Sequence, residues 1–209
     1  MKKENTKYQL LTFYKFVDID DPHKIVEDHL RFTRDIGMRG RVFIGEEGIN
    51  ATLSGNTGQI KAYRLYLASI PYFKDIPDID EKACFVEGHQ FEKMHVRYRK
   101  EIVALGEKYS AEEIERSKHK ISIEDFKKVM DTDDDNYVII DMRNNYEYQL
   151  GHFKNAVPAG TLTFKDTSGL IDHYKDKYKD KTLIMYCTGG IRCEKVSVLL
   201  DKMGLPGVY

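Results

Sequence analysis

The sequence predicts a mixed chain of two units, an α+β unit followed by an α/β unit with a parallel sheet. Three observations indicate this fold class. The first hundred residues show the order strand-helix-strand-strand-helix-strand. A polar and charged stretch then runs over 106–120. Beyond it, two short apolar strands are separated by polar and helical sequence, the pattern of parallel strands joined by crossover connections.

The first unit is predicted to span residues 1–105 as a ferredoxin-like domain, because its order of elements is the split βαβ pattern. Asp21 and Pro22 open its first helix, and Pro71 ends its second. The predicted elements are a strand at 8–16, a helix at 21–37, strands at 41–44 and 48–54, a helix at 57–70 and a strand at 94–99. Cys84 is expected in the core, since a free cysteine behaves as a small hydrophobe.

The second unit is predicted to span residues 121–209, after a linker at 106–120. The predicted elements are a helix at 124–130, strands at 137–140 and 183–186, and a helix at 194–203. The two strands are followed by Asp141 and Cys187. Ligands gather at the carboxyl ends of strands in open α/β sheets, so we expect the functional site there.

Composition limits the classes of function. Lys and Arg number 33 against 34 Asp and Glu, so the chain is not an overall basic nucleic-acid binder, and any RNA site must be a local patch. We find no apolar stretch of membrane-span length and no signal-peptide pattern, and the three cysteines do not suggest a disulfide framework. We therefore expect a cytoplasmic protein with no membrane partner and with its cysteines as thiols. The acidic run at 131–136 lacks the spacing of a calcium loop, and no metal site is predicted.

The stretch YCTGGIRCEK at 186–195 carries the strongest indication of chemistry. The residues that follow Cys187 are Thr188, Gly189, Gly190, Ile191 and Arg192. The glycines allow a tight turn whose backbone N–H groups point inward, and the next helix offers the positive end of its dipole. The arginine adds a permanent cation. These features favour the thiolate form of Cys187, which is the nucleophilic form.

Cys193 has two open interpretations. It is either a resolving thiol close to Cys187 or a small apolar side chain that packs at the start of the helix. For Cys187 the alternative to a reactive thiol is a buried structural cysteine. A zinc site is not favoured, because five residues separate the two cysteines and the chain has no second pair.

Asp141 and Arg143 lie at the end of the preceding strand and are predicted to shape the loop around Cys187. The alternative is a helix cap and a surface ion pair of little energetic value. Glu147 and His152 follow in the same segment and are interpreted as structural rather than catalytic residues.

The loop from Cys187 to Arg192 resembles the six-residue active-site loop of rhodanese domains. The segment DMRNNYEYQLGHFKNA at 141–156 is similar to a second rhodanese signature. With GRVFIGEEGINATLSG at 40–55, these motifs resemble one bacterial family that joins a ferredoxin-like domain to a rhodanese domain. That resemblance implies a tRNA uridine 5-hydroxylase that acts on wobble uridine 34 with molecular oxygen. It implies the anticodon arm of tRNA as partner and Cys187 as the essential cysteine.

The resemblance also sets expectations about what is missing. The rhodanese-like unit is expected to be C-terminally truncated, because the last strand and helix of such domains should follow Leu205. The residues identify no cofactor, and molecular oxygen is expected as a co-substrate because the resemblance implies it. No obligate protein partner is evident from the sequence.

RNA contact requires cations and stacking groups, and two basic groups could supply them. Arg39 and Arg41 belong to the first group. Arg97, Arg99 and Lys100 belong to the second, which also contains an aromatic residue. Basic residues interleaved with aromatic ones are suited to single-stranded loops. The alternative is a solvated face, in which nearby acids at positions 35, 46 and 47 dilute the positive charge.

Two other functions remain open on the residues alone. A sulfurtransferase would carry a persulfide on Cys187, and the loop by itself supports this. A redox or binding module without catalysis would form a reversible disulfide between Cys187 and Cys193.

Overall fold

The computed structural model describes residues 7–76, 83–132, 134–205 and 207–208. The chain divides into two compact units, residues 1–102 and 103–209. Each unit has a sheet of its own, with five strands in the first and four in the second.

Among its described residues, the first unit has five strands and two helices. They are β1 (Tyr8–Phe16), α1 (Pro22–Asp35), β2 (Arg39–Gly45), β3 (Gly48–Asn56), α2 (Thr57–Ser69), β4 (Ala83–Val86) and β5 (Met94–Tyr98). The sheet order is β4-β1-β3-β2-β5, and the first four strands pair antiparallel. This is the ferredoxin-like order that the sequence predicts, with β5 added parallel to β2 at the far edge.

The strand that closes the split βαβ pattern is β4, and the predicted closing strand at 94–99 is instead the added edge strand β5. The prediction missed β4 because it has only four residues, too few for a clear alternation. The expectation that Cys84 lies in the core is wrong, since its side chain is exposed. Cys84 pairs with Leu10, whereas Ala83 pairs with the buried Leu11 and packs against the core.

Local sequence explains where the elements of this unit begin and turn. The Asp21 side chain caps α1 by accepting from the Lys24 N–H, and Asn56 and Gln59 form a capping box at α2. Gly48 has a φ of 134°, and a Cβ there would lie 2.0 Å from the Lys15 carbonyl oxygen. Only glycine therefore allows β3 to start this close to β1.

The second unit contains helices on a parallel sheet. Its elements are α3 (Ala111–Arg116), α4 (Ile123–Thr132), β6 (Tyr137–Asp141), α5 (Asn145–Leu150), β7 (Val157–Pro158), a 3-10 helix (Phe164–Leu170), α6 (Ile171–Tyr178), β8 (Thr182–Tyr186), α7 (Ile191–Lys202) and β9 (Gly207–Val208). The strand order is β7-β6-β8-β9, and all neighbours are parallel. The predicted α/β architecture is confirmed.

The stretch predicted as a linker, 106–120, contains α3 and lies within the second unit. Ile114 is buried, and α3 packs against α7. Lys195 on α7 is fully buried and donates from Nζ to the Val103 carbonyl at 3.1 Å. Lys202 on α7 binds Glu113 on α3 at 2.8 Å. The segment before α4 is therefore packed onto the helix that follows Cys187.

The strands β6 and β8 are nearly continuous apolar runs, as expected for strands covered on both faces. Their register pairs Asp141 with Tyr186, so both carboxyl ends lie side by side. The described residues contain no helix long and apolar enough to span a bilayer.

Candidate active site

Cys187 follows the last residue of β8, at the carboxyl edge of the parallel sheet. Its loop leads within four residues into α7, which begins at Ile191. Gly190 is the N-cap of this helix and has a φ of 91°, in the left-handed region that favours glycine. The turn places the sulfur against the positive end of a twelve-residue helix.

The sulfur of Cys187 is surrounded by hydrogen-bond donors. The Gly190 N–H donates to Sγ at 3.0 Å. The pKa of Cys187 is lowered to about 6, first by a hydrogen bond from the Cys193 thiol and, against the effect of burial, by backbone N–H groups of Gly189, Cys193 and Arg192. At neutral pH the side chain is therefore a thiolate, the nucleophilic form.

Cys193 has the opposite character. Its side chain is buried in the first turn of α7, and burial, followed by the hydrogen bond to Cys187, raises its pKa well above the usual value. It stays a neutral thiol that donates to the neighbouring thiolate. The two interpretations left open by the sequence are compatible, because Cys193 both packs and contacts Cys187.

Arg192 is held by Glu147 rather than left free. Its guanidinium donates to the Glu147 carboxylate at 2.9 and 3.3 Å, and the Thr188 hydroxyl donates to the same carboxylate at 3.3 Å. Burial works against ionisation of Glu147, but the hydrogen bonds from Arg192 and from the Asn144 N–H lower its pKa overall. Glu147 thus connects both ends of the loop to α5.

The sequence interpretation of Glu147 as a merely structural residue misses its contacts with the loop. One signal could have revealed them. Asn144 and Glu147 have the spacing of a capping box, which fixes the carboxylate at the start of α5. A carboxylate fixed near a strand end is well placed to meet the cation of the next strand-end loop.

Asp141 and Arg143 form a second network below the loop. Asp141 is fully buried, and Arg143 binds it with Nη2 to Oδ2 at 2.6 Å. The Tyr186 hydroxyl donates to the same oxygen at 2.6 Å. Burial opposes ionisation of Asp141, yet the hydrogen bonds from Arg143 and Tyr186 lower its pKa overall. These two predicted residues therefore hold Tyr186, the residue directly before Cys187.

The rim of the site is aromatic. The ring of Phe153, which is 43% exposed, meets the ring of Tyr186 edge to face at 4.7 Å. The Phe153 N–H donates to the Tyr186 hydroxyl at 3.3 Å. His152 is exposed and stacks on Tyr148 with ring centres 3.8 Å apart. Tyr186 and Phe153 were not singled out in the sequence.

The basic residues proposed for RNA contact lie in the first unit, and all five are exposed. Arg41, Arg97 and Arg99 line one groove, whereas Arg39 lines a neighbouring one. Lys100 lines neither groove. The structure thus brings three of the five together.

Two of the acids expected to dilute this charge are engaged elsewhere. Glu46 accepts from the Tyr98 hydroxyl at 2.8 Å. Glu47 is buried and accepts from the Ile102 N–H at 2.6 Å. Within the described part of the chain, no three His, Cys, Asp or Glu side chains are grouped as a metal site requires.

Comparison with known proteins identifies both units. The family described as UPF0176 acylphosphatase like domain matches residues 8–102, and the family described as Rhodanese-like domain matches residues 122–209. A protein of Oceanobacillus iheyensis named tRNA uridine(34) hydroxylase is 40% identical over 207 residues, which cover 99% of this chain and 62% of that protein.

Two further relatives with the same name give similar results. One from Bacillus licheniformis is 40% identical over 203 residues, covering 97% of this chain and 61% of that protein. One from Staphylococcus aureus strain Newman is 42% identical over 202 residues, covering 96% of this chain and 62% of that protein. The chain therefore spans about three fifths of the length of these relatives. Both domain matches, in this order, and relatives that align with almost the whole chain show that it belongs to the family in which a UPF0176 acylphosphatase-like domain precedes a rhodanese-like domain.

Proposed function

We propose that this protein takes part in the hydroxylation of wobble uridine 34 of tRNA to 5-hydroxyuridine, with Cys187 as its essential cysteine. The relatives that align with almost the whole chain bear the name of that activity. Molecular oxygen is the proposed co-substrate, and the anticodon arm of tRNA is the proposed partner. The reaction would take place in the cytoplasm, where tRNA is modified.

The observation that carries the proposal is the position of the Cys187 sulfur, which accepts a hydrogen bond from the Gly190 N–H at 3.0 Å at the start of α7. A thiolate can act on the uracil ring in two ways. It can add to the ring as a nucleophile, or it can carry an oxidised sulfur. In either route the base must leave its stack to reach the loop. With oxygen as oxidant, one oxygen atom enters the C5–H bond and the other leaves as water, so a reductant must supply two electrons and two protons.

The site residues have distinct proposed roles. The backbone of Gly189, Gly190 and Ile191 forms the turn that receives an anion, and Thr188 and Arg192 are fixed by Glu147. Asp141 and Arg143 are positioning residues that act through Tyr186. Cys193 keeps Cys187 ionised by donating its S–H.

The test is complementation of cells that lack the gene. We would supply the wild-type protein, Cys187→Ser or Cys84→Ser, digest the tRNA and quantify 5-hydroxyuridine by mass spectrometry. Wild type and Cys84→Ser should restore the nucleoside, because Cys84 is exposed on the edge strand β4 of the first unit. Cys187→Ser should not. Restoration by Cys187→Ser would show that this cysteine is dispensable.

Sulfur transfer is the second candidate, because the rhodanese-like unit presents its loop cysteine as a thiolate. A persulfide on Cys187 would form by attack of the thiolate on the outer sulfur of thiosulfate, with sulfite as leaving group. Thiosulfate:cyanide activity and one cyanide-releasable sulfur per chain, lost in Cys187→Ser, would favour it. If neither the wild type nor Cys84→Ser restores 5-hydroxyuridine while a persulfide forms on Cys187, sulfur transfer becomes the better description.

A further inference from the structure

The sheet of the first unit has two different faces. One face packs α1 and α2 onto a core that contains Leu11, Val42 and Tyr63. The other, which we name the outer face, carries the alternate strand positions. Register aligns four strands across it in two rows. The rows are Thr12-Thr52-Arg41-His95 and Tyr14-Asn50-Phe43-Arg97, in the order β1-β3-β2-β5.

A groove of about 310 Å³ lies on the β2 and β5 side of the outer face. Its lining residues are Arg41, Phe43, His95, Arg97 and Arg99. The guanidinium of Arg99 lies over the Phe43 ring, 5.3 Å from its centre, so the two side chains form a cation–π pair. The side chains of Arg41, Arg97 and Arg99 are exposed.

The charge of this face is not balanced by acids within it. None of the outward positions on the described strands β1, β2, β3 and β5 is Asp or Glu. Glu46 and Glu47, in the adjoining hairpin, are bonded to Tyr98 and to the Ile102 N–H. Glu92 lines a neighbouring depression, where Lys93 accompanies it. The outer face is therefore a local basic patch on a chain of net charge −1.

We infer that this groove binds single-stranded RNA, with an unpaired base stacked against the Phe43–Arg99 pair and the flanking phosphates held by Arg41 and Arg97. The inference rests on the proposed function and deepens it, because it assigns RNA binding to this groove and to base stacking combined with phosphate contacts. A sheet face with an aromatic platform and cations recognises unstacked bases, because every base has a π-face to offer. Duplex RNA keeps its bases inside the helix and offers no such face.

The test measures binding directly, apart from any hydroxylation. We would titrate the chain into a labelled RNA hairpin with a seven-nucleotide loop and follow fluorescence anisotropy over a range of salt concentrations. A perfect RNA duplex is the competitor. The variants are Phe43→Leu and Arg99→Gln for stacking and Arg41→Gln and Arg97→Gln for phosphate contact. The matched control is Arg31→Gln, which removes the same charge from α1, where Arg31 pairs with Asp28 at 2.7 Å.

Two signatures separate the roles. Phe43→Leu should weaken hairpin binding about tenfold while leaving its salt dependence unchanged, since a stacked base is lost but no phosphate contact. Arg41→Gln and Arg97→Gln should each flatten the slope of log affinity against log salt by about 0.7. Arg99→Gln should also weaken binding, and it tests the same cation–π pair without removing the half-buried ring of Phe43. Urea unfolding of each variant would show whether the variant is folded as stably as the wild type. Arg31→Gln should bind as the wild type.

Several results would overturn the inference. The wild type could fail to bind the hairpin, or all four groove variants could bind it with wild-type affinity. The duplex could also displace the labelled hairpin as effectively as unlabelled hairpin does. The two proposals fail separately. If groove variants lose binding but the wild type restores no 5-hydroxyuridine in cells, the proposed function fails and the RNA site stands. If 5-hydroxyuridine is restored and the groove variants bind normally, this inference alone fails.

Discussion

The Cys187 thiolate depends on donors in its own loop and in the first turn of α7. In a Cys84→Ser background, the rate of alkylation of Cys187 by iodoacetamide should therefore rise with pH around a midpoint of about 6, because the lowered pKa keeps the sulfur ionised above that pH. Cys193→Ala should move the midpoint upward, since it removes the largest stabilising hydrogen bond. Cys193→Ser keeps a donor and should move it less. A wild-type midpoint near 9, or no shift in Cys193→Ala, would contradict this account.

Glu147 should stabilise the second unit as well as hold the loop. Its carboxylate accepts from Arg192, Thr188 and Asn144, and the Glu147–Arg192 pair is mostly buried. Glu147→Gln should lower the free energy of unfolding by about 2 kcal/mol at pH 7. The control is Glu124→Gln, an exposed first-turn glutamate of α4, which should change it by less than about 0.5 kcal/mol.

The stability difference between the wild type and Glu147→Gln should depend on pH, in a direction set by the lowered pKa of Glu147. The pKa of Glu147 is lowered from 4.5 in the folded state, so its contribution is fully present above 4.5 and is lost as the pH falls through the folded pKa. Urea unfolding should be measured at pH 7 and at decreasing pH below 4.5. The free energies of unfolding of the wild type and of Glu147→Gln should become more similar as the pH falls. A difference that is constant or grows in acid would show that the ion pair is not its source.

At the scale of elements, the segment before α4 gives the clearest test. A linker would tolerate truncation of its side chains, whereas Ile114 on α3 is 2% exposed and α3 packs against α7. Ile114→Ala should lower the free energy of unfolding of the second unit by about 2–4 kcal/mol, through lost burial and a cavity. Ile123→Ala is the matched control, because Ile123 is 84% exposed. Equal urea midpoints for the two variants would support the linker interpretation.

The elements that the sequence predicts well are those with long patterns. The strand β1 is nine residues long, and the helices α1 and α2 begin at side-chain caps that the sequence displays. The four-residue strand β4 was missed, and β5 was predicted instead as the strand that closes the split βαβ pattern. The order of elements in the sequence does not say which edge of the sheet a strand joins. That choice depends on long-range pairing, here β4 with β1 and β5 with β2.

At the scale of the whole molecule, the sequence indicated which residues follow the strand ends but not how they pair. Cys187 and its loop could be named because glycine, arginine and a strand end occur together within a few residues. The sequence could not predict contacts between residues 45 positions apart, such as Arg192 with Glu147 and Tyr186 with Asp141. The register of β6 and β8 brings these residues together. Phe43 and His95 were missed for the same reason, because only the parallel pairing of β2 and β5 places them between arginines.

We predict that the proposed function uses the RNA groove of the first unit and Cys187 of the second unit of the same chain, since the base to be modified belongs to the RNA that the groove binds. Co-expression of Cys187→Ser with the double variant Arg41→Gln/Arg97→Gln, in cells lacking the gene, should therefore restore no more 5-hydroxyuridine than either variant alone. Wild type co-expressed with Cys187→Ser is the positive control, and immunoblots would verify equal amounts of protein. Restoration by the two variants together would show instead that one chain binds RNA for the cysteine of another, so that the working enzyme contains at least two copies.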